Sequence, residues 1–453
     1  MTKQQRLVLV ISILASFVAF LDGMVVTVAL PAIARELGGG FTIQQWTVDA
    51  YLITLGSLML IAGSFSDIFG RKKVLAVGLA GFLVTSLFCA VAPSGLLLIV
   101  SRALQGIAGA LLVPSSLALI ISSFSGPQQS KAIGSWTAWT GIASIIGPLL
   151  GGVLVTYSSW RLIFAINVIP VAVTLWLLHM LHPVKHELKR EPLDVAGAVL
   201  CAVGLGGTVY GLIEQAHYGW SSPVVYGPLI NGIVALILFI GHERRAAKPM
   251  LPLSLFAVRN FSVGNIATFA IYAGLSISSF LITLFLQQVA GYTAIQAGVA
   301  MLPVTIMMFV LSPRAGALAG VYGPRIFMTL GPLIGGLSFL YMQRIDASAH
   351  YWTEVFPSVT GFGVGLAITV APLTSAILGA IDESRAGIAS AVNNAVARIA
   401  GLIAIAALAL VVGPKLTVAG FHHGMLMTSV LLIVGGIISA IGIQNTPRTV
   451  SKH

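Results

Sequence analysis

Charge is scarce in this sequence. Only 8% of its residues are Asp, Glu, Lys or Arg, against about 25% in an ordinary soluble domain. Acids are scarcer still, 13 against 24 bases. With 57% hydrophobic residues over 453 positions and a mean hydropathy of +0.99, the chain has too little polar surface to face water, so lipid is its expected solvent. Cysteine is nearly absent. Cys89 and Cys201 both fall inside apolar runs, which excludes a disulfide framework and leaves two thiols. No Walker-type Gly-x-x-x-x-Gly-Lys-Ser/Thr occurs, so no nucleotide-driven step is expected within the chain. The apolar runs hold no metal-ligand spacing and no nucleophile–base set. The neighbours His422 and His423 point in different directions on a helix. Enzyme chemistry, a bound metal and a cofactor are therefore not expected. The net charge of +11 lies scattered in short loops rather than on one face, which argues against nucleic acid as a partner.

What is abundant is long apolar sequence. A bilayer span needs roughly 20 apolar residues, and about fourteen runs qualify, from 7–30 to 423–443. Each must be helical, because a run in lipid has to satisfy its own backbone. The expected class is an all-α polytopic membrane protein. The segment after Met1 to Arg6 is span-length, carries Asp22 and lacks a small-residue cleavage site, so no cleavable signal peptide is expected. With an even span count both termini share a side. That side then collects most of the bases, while only Arg35, Arg161, Arg344 and Lys415 fall on the other and Arg102, Arg314 and Arg398 stay in the membrane. The asymmetry predicts cytoplasmic termini. The longest polar connections, 182–192 and 242–260, bracket the runs 194–214 and 223–241. Those two read as a pair inserted between two six-helix halves: 1–181, an inserted segment 182–260, and 261–453. The tract Ser312 to Arg325 echoes the glycine spacing and closing base of residues 63–73, as internal repeats of membrane carriers do.

A few polar residues stand where lipid makes them expensive. At 1.5 Å per residue Asp22 lies about 24 Å along a helix from Arg6. Arg102 lies a little over one turn into the fourth run, and Asp49 near the start of the second. All three fall in the outer half of the bilayer at overlapping depth. Intramembrane charges usually face a cavity or a partner. An acid held between a cation that favours its charge and burial that disfavours it can load and release protons. Asp22 is thus the expected proton site, tuned by Arg102; the alternative is a structural ion pair. Asp49 is either a second acidic binding group or a residue in reach of headgroup water. Asn393, Asn394 and Arg398 either line a cavity or bond neighbouring helices. Glu214 is either a rim residue or an outer release site.

The turn Gly63-Ser-Phe-Ser-Asp67-Ile-Phe-Gly70-Arg71-Lys72-Lys73 resembles the loop signature of the major facilitator superfamily. Leu21-Asp22-Gly-Met-Val-Val-Thr-Val-Ala29-Leu30-Pro31, Arg102-Ala-Leu-Gln105-Gly106 and Trp160-Arg161-Leu-Ile-Phe164-Ala-Ile-Asn167 are similar to motifs of its fourteen-span drug:proton antiporters, the EmrB/QacA type. Gly141-Ile-Ala-Ser-Ile-Ile-Gly147-Pro148-Leu-Leu-Gly151-Gly152 resembles the exporters' antiporter motif. The resemblance implies the major facilitator fold, two six-helix bundles plus two extra central spans. It implies proton-coupled efflux of small amphipathic, cationic compounds by a monomer in the cytoplasmic membrane. A dedicated metabolite or self-resistance exporter and a facilitator without proton coupling remain alternatives. The implied partners are the small-molecule substrate, protons and the bilayer. Implied roles are proton coupling for Asp22 and Arg102, substrate binding for Asp22, Asp49, Asn393 and Asn394, and a cytoplasmic gating loop of Gly63, Asp67, Gly70, Arg71 and Lys72. Asp49 matches a position associated with dicationic substrates. Gly320 stands where the second-half repeat would carry an acid, which implies a one-sided latch. Gly147, Pro148, Gly151 and Gly152 imply a bent helix that seals the path against protons; ordinary small-residue packing is the alternative.

Overall fold

The computed structural model describes residues 1–124, 126–181, 194–247, 249–381, 385–413 and 415–445, without the side chains of a few residues, Gly63 and Asp67 among them. Among the described residues there is no strand. The chain divides into two compact units. One comprises Met1–Pro252 with Ser279–Val299 and Ile405–Thr417, the other Leu253–Ser278, Ala300–Ala404 and Val418–His453.

The first unit opens with α1 (Lys3–Leu37), α2 (Gly40–Phe69), α3 (Arg71–Ala90), α4 (Gly95–Ser123) and α5 (Gly126–Tyr157). Local chemistry fixes the boundaries. Thr2 and Gln5 cap the start of α1 reciprocally, so its first amides are satisfied from side chains. The helix ends at Gly38 and Gly39, with φ of 76° and 82°, a left-handed region where a side chain would be strained. Ser94 caps α4 by accepting from the Leu97 amide. After α5 come the short α6 (Leu162–Ala165) and α7 (Val168–Met180), then α8 (Val195–Tyr218) and α9 (Pro223–Glu243). The packed pairs are α1 with α5, α2 with α4, α3 with α4, and α8 with α9, while α8 also lies along α2. The expected sixth run corresponds to one candidate span, Leu162–Met180, with a turn at Ile166 and Asn167 where the backbone keeps right-handed helical angles.

In the second unit, α13 (Pro324–Tyr341) packs on both α14 (Phe356–Leu378) and α16 (Val418–Gly442), and α12 (Leu302–Tyr322) packs on α14. Three further helices, α10 (Arg259–Gln288), α11 (Ala294–Ala300) and α15 (Ala386–Val412), complete the chain. α10 is continuous over 30 residues, longer than the hydrocarbon core is thick at about 1.5 Å per residue.

Among the described residues twelve helices are long and apolar enough to cross a membrane. α2 and α5, of 30 and 32 residues, contain residues whose side chains are not described and stand outside that count. Of the twelve helices α9 is the least buried: only 22% of its apolar window is covered, and Ile230, Ile237 and Leu238 are exposed. Apolar surface on this scale is stable only against lipid.

Candidate functional site

Asp22 sits in the middle of α1 and Arg102 two turns into α4, and both are 1% exposed. Arg102 Nη1 meets Asp22 Oδ2 at 2.5 Å. The same nitrogen donates to Gln105 Oε1 at 2.6 Å, and Gln105 Nε2 donates to Asp22 Oδ1 at 3.1 Å. Asn167, in the α6–α7 turn, donates to the same oxygen at 2.9 Å. Ser86 on α3 accepts from Gln105 at 2.9 Å. Arg102 Nε donates to the Thr47 carbonyl of α2 at 3.0 Å. The guanidinium lies 4.3 Å from the centroid of the Tyr51 ring, where the ring face attracts it. Four helices and the α6–α7 turn thus converge on one ion pair. A buried pair offsets its desolvation only when the remaining donors and acceptors are satisfied, and this network supplies those partners.

Gln105, Ser86 and Asn167 were not expected as site residues. Gln105 had a signal, because a residue three positions from Arg102 shares its helix face. Asn167 closes the family motif that begins at Trp160, while Ser86 had no signal: its role depends on where α3 passes α1.

Asp49 presents the opposite case. It was expected either to bind or to reach headgroup water, and it is 0% exposed. Both carboxylate oxygens are buried without a hydrogen-bond partner, as are Oε1 of Gln44 and Oε1 of Gln45. Tyr51, two residues on, faces Arg102, so Asp49 lies on another side of α2. Gln45, four residues earlier, shares its face and donates to the carbonyl of Ile405 at 2.5 Å. Asp49 thus holds two buried acceptors with no donor among the described residues. Buried polar groups are rarely left so, and a proton or a cation would complete it.

The glycines of the fifth helix make close approaches. A Cβ on Gly147 would stand 2.5 Å from Cβ of Met24, and one on Gly152 would stand 2.7 Å from Cα of Ile295. Pro148 lies inside α5, and its carbonyl would stand 2.5 Å from a Cβ on Gly298. Gly151 packs on Val25. α5 is thereby held against α1 immediately beyond Asp22 and against α11.

The turn 63–73 is described in part. Gly70, with φ of 90°, separates α2 from α3. Arg71 donates to the Ala118 carbonyl at 2.9 Å and Lys72 to the Leu181 carbonyl at 2.5 Å. Gly63 and Asp67 lie outside the described side chains. In the second unit Asn393 donates to Thr268 Oγ1 at 2.8 Å and to Asn265 Oδ1 at 3.2 Å, so it bonds α15 to α10. Asn394 is exposed and donates to the Ser390 carbonyl of its own helix. Neither residue meets Asp22 or Asp49 among the described contacts. Arg314 likewise donates to its own helix, at the Val310 carbonyl. A cavity of about 740 Å³ in the first unit is lined by Arg35, Gln44, Gln287 and Lys415 among others.

The sequence profile described as Major Facilitator Superfamily matches residues 12–405. The chain is similar to the multidrug resistance protein Stp of Mycobacterium tuberculosis, 32% identical over 90% of this chain and 76% of that protein. It is similar to the cephamycin export protein CmcT of Amycolatopsis lactamdurans, 32% identical over 91% and 86%. It is also similar to the puromycin resistance protein pur8 of Streptomyces alboniger, 33% identical over 92% and 86%. Among solved structures, a peptide transporter POT in complex with sulfate superposes with a TM-score of 0.71 at 16% identity, covering 97% of this chain and 94% of that one. That likeness concerns the fold alone.

Proposed function

Because the chain belongs to the Major Facilitator Superfamily, whose members are multi-pass membrane transporters, we propose that it exports small amphipathic, cationic compounds in exchange for protons, by alternating access. The observation that carries this reading is the contrast between two buried carboxylates. Asp22 has a cation and two amide donors, whereas Asp49 has no partner. A fixed pair and an empty acceptor are what an exchanger needs: one acid whose bond to Arg102 breaks on protonation, and another that awaits a cation. Asp22 and Arg102 are the proposed coupling pair and Asp49 the substrate acid. Asn393 and Asn394 are proposed as polar contacts for substrate. Asp67 and Arg71 are proposed to latch the cytoplasmic face, and α5 with Gly147, Pro148, Gly151 and Gly152 to seal the path against protons. Relatives named for multidrug resistance, cephamycin export and puromycin resistance support export rather than uptake.

The proposal includes the organisation in which 1–181 and 261–453 are six-helix bundles and 182–260 carries an inserted pair. With α2 and α5 as spans the total is fourteen, that of the EmrB/QacA type. The protein is proposed to act as a monomer in the cytoplasmic membrane with both termini inside.

A second reading, a dedicated exporter with one narrow substrate, draws support from the cavity that carries Arg35 and Lys415. Those bases suit a neutral or anionic compound better than a cation. Uptake into inverted vesicles under an imposed proton gradient separates the two. Accumulation of tetraphenylphosphonium that collapses with the gradient and in Asp22→Asn supports proton-coupled cation export. No accumulation of any lipophilic cation by wild-type protein refutes the cation reading and leaves the narrow exporter.

A further inference from the structure

Outside the Asp22 network, Glu214 is a carboxylate with no salt bridge among the described residues. Glu214 lies one turn from the end of α8 and is half-buried. Its Oε1 accepts the indole N–H of Trp46, on the second turn of α2, at 2.7 Å. Tyr210 stands four residues earlier, so it shares the face of α8 that carries Glu214. The Trp46 and Tyr210 rings lie 5.9 Å apart at 57° and form an aromatic corner beside the acid. A cavity of about 380 Å³ opens here, lined by Trp46, Tyr210 and Glu214 with Ile43, Leu96 and Ile99. Leu96 is 74% exposed at its rim, so the cavity meets the surface that lipid covers.

We propose that this cavity between α8, α2 and the start of α4 is a separate binding site for an amphipathic organic monocation, an ammonium- or phosphonium-type head on an apolar body. The chemistry of the lining selects that class. One carboxylate supplies a single negative charge, two ring faces attract a diffuse cation, and the remaining wall is hydrocarbon. The volume lies within the range of small-molecule pockets, about 300–1,000 Å³. The donor that bonds Glu214 is an indole, which holds the carboxylate in place without neutralising it. A compact hydrated cation gains little from such a wall, and an anion meets the acid. The site gives the α8–α9 pair a task of its own, capture of cations from the adjoining leaflet, and it requires neither Asp22 nor a proton gradient.

The test is calorimetric titration of the full chain, in lipid nanodiscs, with tetraphenylphosphonium. Wild-type protein is compared with Glu214→Gln, Tyr210→Leu and Asp22→Asn. The expected result is a binding event that weakens by about tenfold or more in Glu214→Gln and in Tyr210→Leu and persists in Asp22→Asn. Tyr210→Leu leaves the Glu214–Trp46 bond in place, so it decides the matter if Glu214→Gln fails to fold. Nanodiscs of phosphatidylglycerol alone and of phosphatidylglycerol with phosphatidylethanolamine distinguish the source of the cation. Unchanged binding with phosphatidylethanolamine supports a site for free organic cations, and weaker apparent binding, which means that a compact lipid ammonium competes for it, overturns the choice of ligand class. Equal affinity in wild type, Glu214→Gln and Tyr210→Leu overturns the proposal. Loss of binding in Asp22→Asn alone also overturns it, and returns the cation to the central site.

Discussion

At the scale of single residues, the Asp22 network behaves as one object. Removing one member of a buried ion pair leaves an uncompensated charge, which costs about 3–5 kcal/mol. Arg102→Met is therefore expected to lower thermal stability sharply. Asp22→Leu combined with Arg102→Met should recover much of the loss, because neither charge is then stranded. A double-mutant cycle read by thermal unfolding in detergent checks this; additive losses would mean that the two side chains do not share their energy. Asn167→Ala leaves the pair intact but removes a donor to Asp22 Oδ1, with an expected loss of about 1–3 kcal/mol. The pair itself was legible in the sequence, because two opposite charges at one depth in lipid have few other fates. Asn167 was legible only as the last residue of a family motif, not as a donor to Asp22, since that depends on how its helix packs on α1. Asp49 was legible as an acid but not as a fully buried one; near the end of an apolar run, burial depends on what packs over it.

At the scale of elements, glycines decide how closely α5 approaches α1. A methyl at Gly147 meets the Met24 Cβ, an atom fixed to the backbone, so Gly147→Ala must push the helices apart. We expect a destabilisation of about 1–3 kcal/mol, read as a lower midpoint in thermal unfolding. A silent substitution would mean that α5 has room to move. The antiporter motif announced these glycines from the sequence, while their partners, Met24 and Ile295, became visible only with the packing. The start of α8 carries a pH signature. Asp194 caps it, accepting from the Gly197 amide at 2.8 Å and meeting His242 Nε2 at 2.7 Å. Burial pushes its carboxyl up, but the amide and the imidazole outweigh burial and hold it below the ordinary carboxylate range. A depressed carboxylate stabilises the fold while ionised, and that contribution is lost as pH falls through its folded value. Hydrogen exchange in the first turn of α8 should therefore be slow near neutrality and accelerate below about pH 4, whereas Asp194→Asn, which keeps a cap without the charge, should show a flatter profile. Equal profiles would exclude Asp194 as the titrating group.

At the scale of the molecule, the all-helical membrane class followed from composition alone, and the family from the residues around Asp67, Asp22 and Gly147. Lipid imposes one secondary structure on any long apolar run, so the architecture was easy to read. The number of crossings is harder: twelve helices qualify among the described residues, with α2 and α5 outside that count. The substrate is harder again, because the cavities draw their walls from helices far apart in sequence: Glu214 meets Trp46 across 168 positions. The central claim is that binding a cation and releasing a proton are linked through Asp22. The direct measurement is proton release from purified protein in weakly buffered detergent solution on addition of tetraphenylphosphonium, for wild type and Asp22→Asn. The account predicts release by the wild type that disappears in Asp22→Asn while the variant stays folded; undiminished release by Asp22→Asn would contradict it and move the exchanged proton to another acid, with Asp49 the first to examine.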